Sequence, residues 1–172
     1  MAVALLILVN SAFAQIVNNV SKSAIIFEIK NLGIKTGGTL GGLQANINFD
    51  PANLAGSKID ASVDANTINT DNTMRDDHLK DEDYFNTAVY PKILMSSVSF
   101  KHKSGNNYTG QFNITIKGKT KPTEVPFSYT AAGNTATFKG SFKIKRADFG
   151  IGGSSMTMGD DVTVLVTAET AK

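Results

Sequence analysis

The chain has 172 residues, 41% hydrophobic and 19% charged, a composition that suits one folded domain and excludes a disordered chain. Its net charge of +2 comes from 17 Lys and Arg against 15 Asp and Glu, without the concentrated basic stripe of a nucleic-acid binder. It has no cysteine, which excludes disulfides, a thiolate metal site and a cysteine nucleophile.

The chain opens with "MAVALLILVNSAFAQ". Ala2 to Val9 are apolar without interruption, and Ala12-Phe13-Ala14 fits a small-x-small cleavage site. This predicts a secretory signal peptide over residues 1–14, although no Lys or Arg precedes the apolar run. The run is shorter than the ~20 residues that span a bilayer, so no stable membrane anchor is expected. The remainder, 15–172, is expected to form one domain outside the cytoplasm, periplasmic or secreted.

From there alternation with a period of two dominates, the mark of strands with one apolar face. "SAIIFEIK" puts Ile25, Phe27 and Ile29 on one side. "GGTLGG" at 37–42 opens no helix, so it is no dinucleotide fingerprint; its glycines mark strand bends or bulges. "LQANINF" aligns Leu43, Ala45, Ile47 and Phe49. "KIDASVDANTI" aligns Ile59, Ala61, Val63 and Ala65 against Asp60, Ser62, Asp64 and Asn66.

The charged stretch "NTMRDDHLKDEDYFN", 72–86, then breaks the pattern. Thr73 and Asp76 have capping-box spacing, and Asp71 or Thr73 is expected to cap a short helix. Asp81 is expected to start a second turn leading to Tyr84 and Phe85. Met74, His78 and Leu79 would share the side that lies over a barrel end.

Strands resume near Lys92–Phe100. "YTGQFNITIKG" aligns Tyr108, Phe112, Ile114 and Ile116. "GKT" at 118–120 lacks the earlier glycine of a phosphate-binding loop and is read as a turn. "EVPFSY" aligns Val125, Phe127 and Tyr129, and "TATFKGSFKIK" aligns Ala136, Phe138, Phe142 and Ile144. "DFG" at 148–150 has no kinase catalytic loop beside it. "DVTVLVTA" closes the series with Val162, Val164 and Val166. Lys117, Lys119, Lys121, Lys139, Lys143, Lys145 and Arg146 form either a basic face toward anionic membranes or, the favoured alternative, the outward face of amphipathic strands.

The pattern predicts an all-β fold of about eight long antiparallel strands with a short helical insert near 73–85. Long strands in this number favour closure into a barrel, with a β-sandwich as the alternative. An eight-stranded barrel is either filled by side chains or holds one small ligand. His78, among Arg75, Asp76 and Asp77, is a candidate general base, but a structural histidine in the helix is the plainer explanation. No metal site is expected, because His78 and His102 lack further ligands at suitable spacing.

"RDDHLKDEDYFNTAVYP", Arg75 to Pro91, resembles the signature of the YceI-like family of exported bacterial proteins. "FEIKNLGI", "FNITIKGKTKP" and "KRADFGI" resemble that family's other segments, in the same order. Gly38, Leu40 and Leu43 fall where the family has a Gly and two aromatics, and Asn31 stands where it often has His. The resemblance implies a lipocalin-like barrel with an elongated apolar cavity. It also implies a long-chain lipid partner, an isoprenoid or fatty acid derivative, with no cofactor and no catalysis.

The expected ligand-binding residues are Phe27, Leu40, Leu43, Leu79, Phe85, Phe112, Ile114, Phe142, Phe149 and Met156. Arg75 and His78, with Asp76, would fix the insert or meet a head group. Two rivals stand beside this: an enzyme acting on a lipid-like substrate through His78, and a filled barrel serving as an envelope interaction module. Oligomeric state is left open.

Overall fold

A computed structural model describes residues 19–171, so the predicted signal peptide lies outside the described residues. Eight strands follow in order: β1 (Val20–Asn31), β2 (Ile34–Asn48), β3 (Lys58–Asn69), β4 (Lys92–Ser104), β5 (Asn107–Ile116), β6 (Lys119–Ala132), β7 (Thr135–Lys145) and β8 (Met158–Ala171). One helix, α1 (Thr73–Lys80), lies between β3 and β4. Each strand pairs antiparallel with the next, and β8 returns to β1 to close a barrel. At the seam Phe27 faces Val164 and Ile29 faces Val162. Closure satisfies the backbone groups that a sandwich would leave along two free edges. The predicted barrel is therefore the fold, and the sandwich alternative falls.

Two upper turns are of the tight primed kind that matches the twist of hairpin strands. Leu32 and Gly33 have φ of 52° and 77°, and Lys117 and Gly118 have 49° and 73°. The "GKT" segment is thus a hairpin turn, as predicted. The register between β2 and β3 shifts on both sides of Gly41. Opposite that shift the Asp64 carboxylate accepts from the Asn66 amide at 2.9 Å, and the Thr67 hydroxyl donates to the Asp64 carbonyl at 2.6 Å. This local turn ends the strict alternation. Ala65 is buried outside the cavity lining, and Ile68 takes the next inward place.

The two barrel ends differ. The lower end carries the β2–β3, β4–β5 and β6–β7 connections and is plugged by aromatic rings. Phe49 is the hub, with ring centroids 5.4 Å from Phe100, 5.1 Å from Tyr108, 5.5 Å from Phe127, 5.0 Å from Tyr129 and 5.7 Å from Phe138. Most of these meet edge to face, the arrangement that ring quadrupoles favour. The upper end carries the β1–β2 hairpin tip, α1 with the link to β4, and the long β7–β8 connection.

On the outer wall Asp60 of β3 accepts from the Ser96 hydroxyl of β4 at 2.5 Å and sits 2.9 Å from the Lys58 ammonium. Partial burial alone would raise its pKa, but the Ser96 hydrogen bond and Lys58 outweigh this and hold it below the ordinary carboxylate range. A depressed carboxylate contributes stability above its unfolded pKa and loses it as pH falls through the folded value. Asp60→Asn is therefore expected to cost less than about 1 kcal/mol at neutral pH, since the pair is solvent-screened. The deficit relative to the parent should vanish below the ordinary carboxylate range. Urea titrations at neutral pH and in acid check this; a deficit that persists in acid would assign the effect to packing instead.

Candidate functional site

Inside the barrel, above the aromatic plug, lies a cavity of about 300 Å³. This is at the lower end of the size range of small-molecule sites. Its wall is the inward face of all eight strands. Ile25, Phe27 and Ile29 line it from β1, and Val162, Val164 and Val166 from β8. Phe127 and Phe138, which also belong to the ring cluster, form its floor. The polar side chains in the lining are Asn31, Thr36, Thr70, Arg75, Tyr84 and Arg146. All six lie near the upper end, because the strands leave only apolar residues facing inward below it.

The insert lies across that upper end. Asn72 caps α1 by accepting from the Arg75 amide at 3.0 Å, so neither Asp71 nor Thr73 is the cap. Asp76 does not close a capping box. Its carboxylate turns back to accept from the Thr70 amide at 2.9 Å and the Thr70 hydroxyl at 2.5 Å. Arg75 grips the same residue, donating from Nε to the Thr70 hydroxyl and from Nη2 to the Thr70 carbonyl, both at 2.7 Å. These bonds fix α1 to the end of β3. Asp81 closes the helix, and its carbonyl accepts from the Tyr84 and Asn86 amides. The Phe85 amide donates to the Leu79 carbonyl at 3.0 Å. Leu79, Tyr84 and Phe85 thereby line the roof of the cavity.

Nine of the predicted residues line the cavity: Phe27, Leu40, Leu43, Arg75, Leu79, Phe85, Phe112, Ile114 and Phe142. Three do not. Met156 is fully exposed, because it lies in the β7–β8 connection where strand alternation no longer applies. Phe149 is 1% exposed but packs beside the cavity within a 3-10 turn, Arg146–Phe149. His78 is exposed, its ring edge-on to Tyr84 at 4.8 Å. Among the described residues its imidazole meets the Tyr84 ring and no hydroxyl or carboxylate hydrogen-bonds it. The helix side predicted from Met74, His78 and Leu79 also dissolves: Met74 is 84% exposed, and only Leu79 faces inward.

Arg146 corrects a further expectation. It is buried rather than part of an outward basic face. Its guanidinium donates to the carbonyls of Gly159 at 2.9 Å, Ile151 at 2.8 Å, Gly153 at 2.7 Å and Met158 at 3.2 Å. Arg146 keeps the inward parity of Phe138, Phe142 and Ile144, and the turn that follows, closed by Gly150 at φ 69°, brings the carbonyls of Ile151 and Gly153 to it. Lys117 is likewise tied down, its ammonium reaching the Glu82 carbonyl at 2.6 Å and the Gly150 carbonyl at 3.1 Å. The available signal for Arg146 was its place two residues after Ile144, on the inward side of the β7 alternation. Thr70 had none.

The family model for the YceI-like domain matches residues 17–170. The chain belongs to the YceI-like family. This YceI-like chain is 31% identical over 134 residues to a UPF0312 protein of Yersinia pestis, covering 74% of this chain and 69% of that one. Its barrel matches that of BcnA from Burkholderia cenocepacia with a TM-score of 0.84 at 26% identity, over 90% of this chain and 99% of that one. It also shares its fold with a polyisoprenoid binding domain from Saccharophagus degradans, with a TM-score of 0.69 at 14% identity, over 90% and 97% of the two chains. The positions where the sequence departs from the expected YceI-like pattern, Asn31, Leu40 and Leu43, all line the cavity.

Proposed function

We propose that the protein binds a long-chain lipid, isoprenoid or fatty, with its tail in the barrel, for carriage or sequestration. The observation that carries this is the polarity of the cavity: apolar from floor to shoulder, with polar side chains only near the upper end. Such a chamber suits a molecule with a long apolar tail and a polar end. Burying apolar area contributes roughly 25 cal/mol per Å², so a tail needs few polar contacts to be held. Arg75 and Thr70 stand where the polar end would rest. The shared fold with a domain named for polyisoprenoid binding supports the same ligand class.

The action proposed is binding without chemistry, since His78 stands apart from the chamber. The proposed location is periplasmic or secreted, on the strength of the N-terminal signal pattern. A wholly filled barrel suits only the lower part, where the Phe49 cluster closes the interior.

The test is native mass spectrometry of protein purified from its own organism, followed by solvent extraction of any adduct. The expected result is one long-chain amphiphile per chain. A clean unliganded mass, with no uptake on titration with isoprenoids or fatty acid derivatives, would overturn the proposal.

A further inference from the structure

Among the tight hairpin turns the one between β1 and β2 stands out, since the β5–β6 turn at the same end is the polar Lys117-Gly118. At the lower end the β4–β5 and β6–β7 turns read Gly105-Asn106 and Gly133-Asn134, small and polar. At the upper end the β1–β2 turn reads Leu32-Gly33. A primed turn of this kind prefers Asn, Asp or Gly at its first position, because the left-handed conformation crowds a side chain. Leu32 adopts it at φ 52°, and its side chain is 72% exposed. No burial among the described residues offsets either cost. Backbone strain held at an exposed place points to function rather than to stability.

Leu32 does not stand alone. Ile34, the next residue of the hairpin, is 71% exposed, and Met156 is fully exposed. The Leu32 amide donates to the Thr157 carbonyl at 2.8 Å, which ties the tip to the segment carrying Met156. Just below, Asn31 pairs with both Ile34 and Met158. Asn31 and Met158 line the cavity, so this apolar corner belongs to its mouth.

We infer that this corner docks on a lipid bilayer surface, so that the mouth opens against the membrane. Charge favours a membrane as the occupant. Lys30 and Lys35 face each other across the hairpin directly behind the tip, and both are exposed, Lys35 with its ammonium 2.8 Å from the Glu28 carboxylate, a surface pair that an anionic head group can replace. Side chains in that position lay their stems along the acyl boundary and place ammonium groups among anionic head groups. The inference rests on the reading of the cavity as a lipid site. A tip seated in the interface would let a tail pass between bilayer and barrel without crossing water. The contact is shallow and reversible, as a few apolar side chains and two lysines provide.

The chain contains no tryptophan, so one introduced residue reports its own surroundings. Ile34→Trp at the mouth and Asn134→Trp at the opposite end are compared on vesicles of phosphatidylcholine and phosphatidylglycerol with brominated acyl chains. The I34W emission is expected to shift to the blue and to be quenched, while N134W stays unchanged. Adding Leu32→Asn and Met156→Ser to I34W should cut the quenching about tenfold, because both apolar anchors are lost. The melting temperature should not fall, since Asn suits the turn. No shift at I34W, equal quenching at both ends, or full quenching in the triple variant would overturn the inference. The readout is local, so the apolar N-terminal run does not enter it. Quenching at I34W in a protein that takes up no lipid would keep the docking and remove the ligand proposal; uptake without quenching would do the reverse.

Discussion

Val164→Trp is expected to weaken lipid binding about a thousandfold. Val164 lies in mid-barrel, opposite Phe27 on β1 and Phe142 on β7, and all three face the cavity. An indole at this place spans the chamber and separates its upper part from its floor. A tail shut out of the lower part would lose contact over roughly 160 Å². At roughly 25 cal/mol per Å² that is about 4 kcal/mol, or about three orders of magnitude in Kd. The fold should tolerate the change, because the ring enters existing space instead of displacing packed atoms. Titration calorimetry with the lipid identified by extraction measures the loss, and a thermal melt checks the fold. Binding equal to the parent's, in a folded variant, would place the ligand outside the barrel.

The largest loss of stability is expected from Arg146→Met. The methionine keeps much of the buried stem but removes donors to four backbone carbonyls. Each carbonyl left buried without a partner costs about 1–3 kcal/mol, partly relieved where the connection can move toward water. A net loss of about 4 kcal/mol in urea denaturation is the expected result. Arg146→Lys should recover little of it, since a point charge cannot reach four acceptors as the planar fork does. Stability close to the parent's in both variants would mean that the carbonyls find water readily and that the guanidinium is dispensable.

The strands were legible because a barrel wall has one wet and one dry face, which writes a period of two into the chain. Phe112, Ile114 and Phe142 were assigned inward on that basis and line the cavity. The rule fails where the backbone leaves the strand. Between Val63 and Ile68 a local side-chain turn resets the parity, and in the β7–β8 connection beyond Arg146, where alternation no longer applies, Met156 is left outside. The insert was legible as a short helix near the mouth, but its attachment was not. Asp76 has the spacing of a capping residue, yet Thr70, placed by the end of β3, competes for its carboxylate and wins with two hydrogen bonds. Local spacing cannot show a partner brought in by the sheet.

The aromatic plug makes the barrel a cup rather than a tunnel. On the proposed reading, a bound lipid would withdraw by the route it entered and would be held in one polarity throughout, tail down and polar end up. A blind chamber is also a gauge of length. A chain shorter than its depth leaves empty space beneath it, and a longer one must bend or protrude between Leu79 and Phe85 at the roof. The position of Phe49 and its neighbouring rings would thus set which tails seat fully under the proposed function, although Phe49 itself stands outside the cavity lining.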